Sequence, residues 1–253
     1  MDPEIKALVI IPTYNERAAL PIITPEILAL RPDIGLLIVD DNSPDGTGQV
    51  AASLCEQFPG RMWVLHRQEK SGLGSAYLQG FRWAIQNIER VEYLLQMDAD
   101  RSHDPAAIPS LIEAAASADL VIGSRYINGV RILDWPMERL LLSHISNTVT
   151  RKLIGLPLTD CTSGFKCFRR ETIKKILARE INARSYDFQV AVNTLCHWLN
   201  LTITEVPITF HNRSQGISKL TRSDVIRAAS LIFKLGFMRF LPRSIRVAGH
   251  KSY

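Results

Sequence analysis

Short apolar runs recur along the first half of the chain, and each stops abruptly at a polar cluster. Residues 7–11 end at Pro12-Thr13-Tyr14-Asn15-Glu16, residues 36–39 at Asp40-Asp41-Asn42-Ser43-Pro44-Asp45-Gly46, residues 94–97 at Asp98-Ala99-Asp100, and residues 120–123 at Ser124-Arg125-Tyr126. A shorter run covers residues 62–65. Continuous apolar runs of this length predict strands covered on both faces. Between them lie stretches of helical spacing: a weak helix interrupted by Pro21 and Pro25, a helix running to about residue 58, one over 75–88, and one opened by Pro105. This βα alternation predicts an α/β fold, a mostly parallel sheet with helices on both faces.

The second half is less regular. Residues 136–153 read as a helix that carries Arg139 and Ser143 on one face, four residues apart. A polar turn, Thr159 to Phe165, leads into a strand-like stretch over 165–168, then a helix over 187–199. Residues 201–210 read as a strand placed at a sheet edge by Pro207. In a final helix over 224–241, Val225, Ala229, Ile232, Phe233, Gly236 and Phe240 share a face, with Arg227 and Lys234 opposite. Such a helix either lies in a membrane interface or packs its apolar face on its own domain.

The chain of 253 residues, with 46% hydrophobic and 22% charged residues, suits one large α/β domain or two small ones. Cys55, Cys161, Cys167 and Cys196 form no Cys-x-x-Cys pair, which argues against a zinc site or a disulfide framework and for reduced thiols. No apolar stretch has the roughly 20 residues of a membrane span, and no signal peptide is visible. The net charge of +5 is unevenly placed: from His211 onward there are nine Lys or Arg against one Asp. A basic tail on an acidic body points to an anionic partner at that end.

The chemistry concentrates at the strand ends. Open α/β sheets bind ligands at the carboxyl ends of their strands, and Tyr14, Glu16, Asp40, Asp41, Asp98, Asp100 and Arg125 all fall there. Alone, Asp98-Ala99-Asp100 reads as a solvated turn. Beside that convergence, it reads as a carboxylate pair for a hard divalent cation, Mg²⁺ or Mn²⁺. Gly72-Leu73-Gly74 lacks the third glycine of a dinucleotide fingerprint and reads as a helix-entry turn. The polar loop 211–220, with two cations and a glycine, is able to close over an anion or to serve as an exposed linker.

Taken together, Pro12-Thr13-Tyr14-Asn15-Glu16, Val39 to Asp45, Met97-Asp98-Ala99-Asp100, Gly123-Ser124-Arg125-Tyr126, Thr162-Ser163-Gly164-Phe165 and Ser218-Lys219-Leu220 resemble the family 2 inverting glycosyltransferases of the GT-A (Rossmann-like) fold. The Arg139/Ser143 pair and the Arg213 to Lys219 loop bring the resemblance closest to the polyprenol (dolichol) phosphate mannose synthases. It runs from about residue 5 to 241 and implies a single GT-A catalytic domain over residues 1–220, followed by a basic amphipathic helix and tail over 221–253.

The resemblance further implies that Pro12, Tyr14, Glu16, Val39 and Asp41 hold the nucleoside of GDP-mannose. Asp98, Ala99 and Asp100 line the donor site, with Asp98, Asp100 and Ser102 toward Mg²⁺ or Mn²⁺. Gln189, Arg213 and Lys219 complete the donor pocket. Asp100, Arg125, Arg139, Ser143 and Arg213 are the expected catalytic group, gathered around the acceptor phosphate and the reacting sugar. The implied partners are a nucleotide sugar, a polyprenyl or dolichyl phosphate, a membrane surface met through the C-terminal helix, and a small membrane subunit, with no nucleic acid. The implied location is peripheral, on the cytoplasmic side of a membrane. Another donor such as UDP-glucose, and a non-catalytic nucleotide-binding module, are the competing readings.

Overall fold

The structure is a computed structural model that describes residues 4–179, 181, 183, 185, 187–212 and 222–248. Its elements run β1 (Ala7–Thr13), α1 (Leu20–Leu30), β2 (Ile34–Asp40), α2 (Thr47–Gln57), β3 (Met62–His66), α3 (Leu73–Asn87), β4 (Tyr93–Gln96), α4 (Ile108–Ala115), β5 (Leu120–Ser124), α5 (Met137–Ile154), β6 (Lys166–Arg169), α6 (Arg170–Leu177), α7 (Asp187–Trp198), β7 (Ile203–Pro207), α8 (Arg222–Met238) and α9 (Arg243–Ala248). A single 3₁₀ turn, Pro105–Ala107, precedes α4.

The strands form one sheet in the order β3-β2-β1-β4-β6-β5-β7. Neighbours pair in parallel except β6, which runs antiparallel to both β4 and β5. The apolar runs behave as two-sided strands. In β1, Leu8 and Ile10 pack on the side of Tyr77 and Phe81 from α3 and Phe188 from α7. Val9 and Ile11 pack on the other side, with Ile23 and Ile27 of α1 and Leu111 of α4. Pro207 closes β7 at the sheet edge, where its missing N–H costs no ladder bond.

Several elements depart from expectation. The first helix is continuous: Pro21 falls in its first turn, where an N–H has no helical partner, and burial of Leu20, Ile23, Ile27 and Leu28 outweighs the bond lost at Pro25. The amphipathic α6, not expected from the sequence, follows β6 without a loop and buries Thr172, Ile173 and Ile176. The antiparallel insertion of β6 is the consequential departure. It brings the start of that strand, preceded by Thr162-Ser163-Gly164, to the edge where the parallel strands end. The Gly72-Leu73-Gly74 turn does open α3. Gly72 has φ +96, and a Cβ on Gly74 would lie 2.5 Å from the Ala183 carbonyl oxygen.

The last helix packs one side on its own domain and leaves apolar side chains exposed on another. Leu235 and Met238 of α8 are buried in the core against α5 and α7. Val225, Ile226, Phe233, Phe237 and Phe240 remain exposed. The expected common face is therefore split, because Gly236 is buried toward Leu153 of α5 and Ile232 is half-buried. Helix α5 is exposed in the same manner at Met137, Leu141, Leu142, Ile145 and Val149. No described helix is long and apolar enough to cross a membrane.

Candidate active site

The loops after β1 and β2 are knitted together by Asp40. Its Oδ1 accepts from the Thr13 hydroxyl at 3.1 Å and the Ser43 hydroxyl at 2.5 Å, and its Oδ2 accepts from the Ser43 amide at 3.1 Å. Asp41 forms a buried ion pair with Arg67 at the end of β3. The same guanidinium donates to Gln79 Oε1 at 3.2 Å and to the Ser75 hydroxyl at 2.8 Å, and it also contacts the Ser71 hydroxyl. Burial raises the Asp41 carboxyl above its ordinary range, although Arg67 opposes the shift. Arg67 escaped sequence reasoning despite the signal that marked Arg125, a cation placed just past a strand.

Around this pair stand the other residues expected at the nucleoside. Tyr14 is half-buried, and Lys70 Nζ lies 3.9 Å above its ring centroid. The Glu16 amide donates to the Thr47 hydroxyl at 2.9 Å. Pro12 and Val39 are register partners on adjacent strands. Val39 is wholly buried in the core, and Ala99 is 3% exposed. These two side chains are core, so only their backbones are left to meet a ligand.

Asp98 and Asp100 are half-buried at the end of β4. Ser102 is buried and turned onto Asp100, whose Oδ1 accepts from its hydroxyl at 2.6 Å and its amide at 3.1 Å. His103 lies buried behind them. Its Nδ1 accepts the Asp98 amide at 3.2 Å, and its ring sits between Phe165 at 4.9 Å and Phe210 at 5.4 Å. Burial lowers the imidazole's affinity for a proton, against the pull of Asp98 and Asp100, which suits a neutral ring that accepts at Nδ1.

These residues meet at Gly164. A Cβ placed there would lie 3.5 Å from Gln189 Nε2, 3.6 Å from His103 Cε1 and 3.7 Å from Asp98 Oδ2. Gln189 Nε2 is buried and has no hydrogen-bond partner among the described residues. The missing side chain thus leaves a cradle into which a carboxylate and an unsatisfied N–H donor both reach. Among the described residues no three His, Cys, Asp or Glu side chains form a cage for a metal ion. A carboxylate pair completed by substrate phosphates is how Mg²⁺ is commonly held, so the donor set fits a hard divalent cation.

After β5, Arg125 is 7% exposed and bound in a fork by Asp160. Its Nε donates to Oδ2 at 2.7 Å and its Nη2 to Oδ1 at 2.8 Å. Burial alone would raise the Asp160 carboxyl, but Arg125 outweighs it and holds the group below the ordinary range. The structure thus gives the expected phosphate-binding Arg125 a carboxylate partner inside the protein. Next to it, the Tyr126 hydroxyl donates to Ser143 Oγ at 2.7 Å. Arg139 lies on α5 with its guanidinium 4.0 Å above the Trp135 ring, and it donates to Asn212 Oδ1 at 3.1 Å. Arg213 and Lys219 lie outside the described residues.

The mostly parallel sheet, with carboxylates gathered where its strands end, has the architecture of the GT-A fold. The model of the family described as Glycosyl transferase family 2 matches residues 8–177, and the chain belongs to that family; it is a glycosyltransferase. It is 41% identical over 243 residues to the polyprenol monophosphomannose synthase of Mycolicibacterium smegmatis, covering 96% of this chain and 91% of that one. It is 40% identical over 231 residues to the undecaprenyl-phosphate mannosyltransferase of Micrococcus luteus, covering 91% and 94%. The fold also matches the crystal structure of glucosyl-3-phosphoglycerate synthase from Mycobacterium tuberculosis in complex with Mn²⁺, UDP-glucose and phosphoglyceric acid. That match has a TM-score of 0.64 at 17% identity and covers 92% of this chain and 79% of that one.

Proposed function

We propose that this enzyme transfers mannose from GDP-mannose to a polyprenyl phosphate, with inversion, to give a polyprenyl β-mannosyl phosphate. The observation that carries the reading is the junction of a carboxylate-lined donor cradle with an exposed apolar helix, α5, which presents Arg139 and Ser143. The two relatives at about 40% identity, both named for mannosyl transfer to or synthesis on polyprenyl monophosphates, support it.

In the proposed reaction, an acceptor phosphate oxygen attacks the anomeric carbon as the bond to the nucleoside diphosphate breaks. A phosphate monoester has a second pKa of about 6, so it is largely dianionic at neutral pH and no catalytic base is required. The protein's task is to bring two anions together and to neutralise the charge that develops on the leaving group. Asp98 and Asp100 would hold the divalent cation, with Ser102 fixing the Asp100 carboxylate; when bound, that cation serves as a Lewis acid on the diphosphate. Tyr14, Glu16, Asp41 and the backbones of Pro12 and Val39 would hold the nucleoside. Gln189 would donate to the donor above Gly164, with Arg213 and Lys219 adding charge.

Arg139 and Ser143 would receive the acceptor phosphate, since a guanidinium binds phosphate through two parallel bonds. Arg125, paired to Asp160, would support this face from below through the adjacent Tyr126–Ser143 bond. The polyprenyl chain would remain in the bilayer. The exposed apolar sides of α5 and α8 would lie at its surface on the cytoplasmic side, and residues 221–253 would act as a docking segment on the catalytic body of residues 1–220. A small membrane subunit could share this surface.

Arg139→Ala tests the assignment. It should raise the KM for polyprenyl phosphate about tenfold or more and leave GDP-mannose affinity unchanged. Equal loss of both would contradict the assigned role.

A further inference from the structure

Lys166 begins β6 and is wholly buried. Its register partner on β4 is Gln96, also wholly buried, and neither amide atom of Gln96 has a hydrogen-bond partner among the described residues. A polar layer of this kind is costly in a sheet interior and contributes nothing to apolar packing. Lys166 lies two residues from Gly164, where the donor cradle sits.

The Lys166 ammonium donates twice to one residue, to the Gln189 carbonyl oxygen at 3.1 Å and to Gln189 Oε1 at 2.5 Å. An ammonium has donors and no acceptor, so the side-chain amide must turn its oxygen toward Lys166. The amide nitrogen then points the opposite way. That nitrogen is the unsatisfied Nε2, 3.5 Å from the Cβ position at Gly164, and Asp98 Oδ2 reaches the same point.

We propose that Lys166 is a positioning residue: it locks the Gln189 amide so that its N–H donors face the sugar and diphosphate oxygens of the donor substrate. The inference rests on the nucleotide-sugar reading and deepens it. Burial lowers the amine to about 7, against the pull of Cys196 and Asp160, and its contacts to two Gln189 oxygens favour the form that donates to both. Without Lys166, either face of the amide can meet the ligand, and the flipped one presents an oxygen to other oxygens.

The test is calorimetric titration of GDP-mannose with Mn²⁺ into wild type, Lys166→Met, Gln189→Leu and the double variant, alongside thermal melts. Lys166→Met should bind about tenfold more weakly, and the thermal melts report separately what the loss of its two buried hydrogen bonds costs the fold. The double variant should bind no worse than Gln189→Leu alone, since a positioning residue has no effect once the group it positions is gone. Unchanged affinity in Lys166→Met, or losses that multiply in the double variant, would overturn the inference.

If Lys166→Met does not fold, Gln189→Glu decides the matter. It offers the ammonium a carboxylate and removes the N–H donors, so it should melt higher and bind about tenfold more weakly; unchanged binding overturns the proposal. Wild type is titrated first. If it takes UDP-glucose instead of GDP-mannose, the same series with that sugar decides. If it takes neither, the proposed function fails, and the inference with it.

Discussion

Asp160 and Arg125 form an enclosed ion pair, and their geometry makes removal of one partner expensive. Both Asp160 oxygens are engaged by the Arg125 fork, and Oδ2 also accepts the Arg125 amide at 3.1 Å. Asp160→Asn leaves a buried guanidinium without a counter-charge and should destabilise the fold by about 3–5 kcal/mol, read by urea denaturation. The pH dependence has a defined sign. The folded-state pKa of Asp160 lies below its ordinary 3.8, so this stability is fully present above that value and is lost as pH falls through the folded-state value. The gap between wild type and Asp160→Asn should therefore be flat from pH 5 to 7 and shrink below about pH 4.

Gly164 makes the opposite prediction, a change in binding without a change in stability. The nearest atoms around its missing Cβ are at 3.5–3.7 Å, an ordinary contact distance, so alanine fits the empty protein. Gly164→Ala should shift unfolding by less than about 0.5 kcal/mol while occupying the space between Asp98 and Gln189. Donor affinity should fall about tenfold or more, as a methyl group there excludes substrate atoms. A variant that binds the donor normally would show that this gap is not the donor site.

At the scale of elements, legibility tracked the hydrophobic pattern. The parallel strands were readable because each is a continuous apolar run, and their ends placed Tyr14, Asp41, Asp98 and Arg125 on one edge. What could not be read was direction and pairing. Nothing in Lys166-Cys167-Phe168-Arg169 says that it runs against its neighbours, yet that reversal carries Thr162 and Gly164 into the site. The pairings of Arg67 with Asp41 and of Lys166 with Gln189 were hidden as well, since partners 26 and 23 residues apart meet only through strand pairing in the first case and the packing of α7 on the sheet in the second. The periodicity of α8 merged two faces that the structure separates, one packed through Leu235 and Met238 and one exposed through Phe233 and Phe237.

That separation allows the exposed face of α8 to be altered without touching the core. Phe233 and Phe237 are 67% and 72% exposed, so Phe233→Glu with Phe237→Glu should leave the melting temperature near that of wild type. Binding to vesicles containing anionic lipid should drop about tenfold or more, measured by co-sedimentation, because two large apolar groups leave the interface and two charges repel the surface. Undiminished vesicle binding would remove α8 from the docking surface.

For the whole molecule, the polar edge at the ends of the parallel strands shares one body with an exterior of exposed apolar side chains on α5 and α8. The proposed acceptor would meet both, its phosphate at Arg139 and its lipid tail at the exterior. The most direct measurement is sugar transfer by purified protein supplied with Mn²⁺ and a short polyprenyl phosphate, using GDP-mannose and UDP-glucose labelled separately in the sugar. The expected result is mannose label in the organic phase, abolished by chelation and by Asp100→Ala. Glucose label alone would contradict the proposed donor. The absence of transfer from either nucleotide sugar by protein that binds one of them would contradict the proposed acceptor.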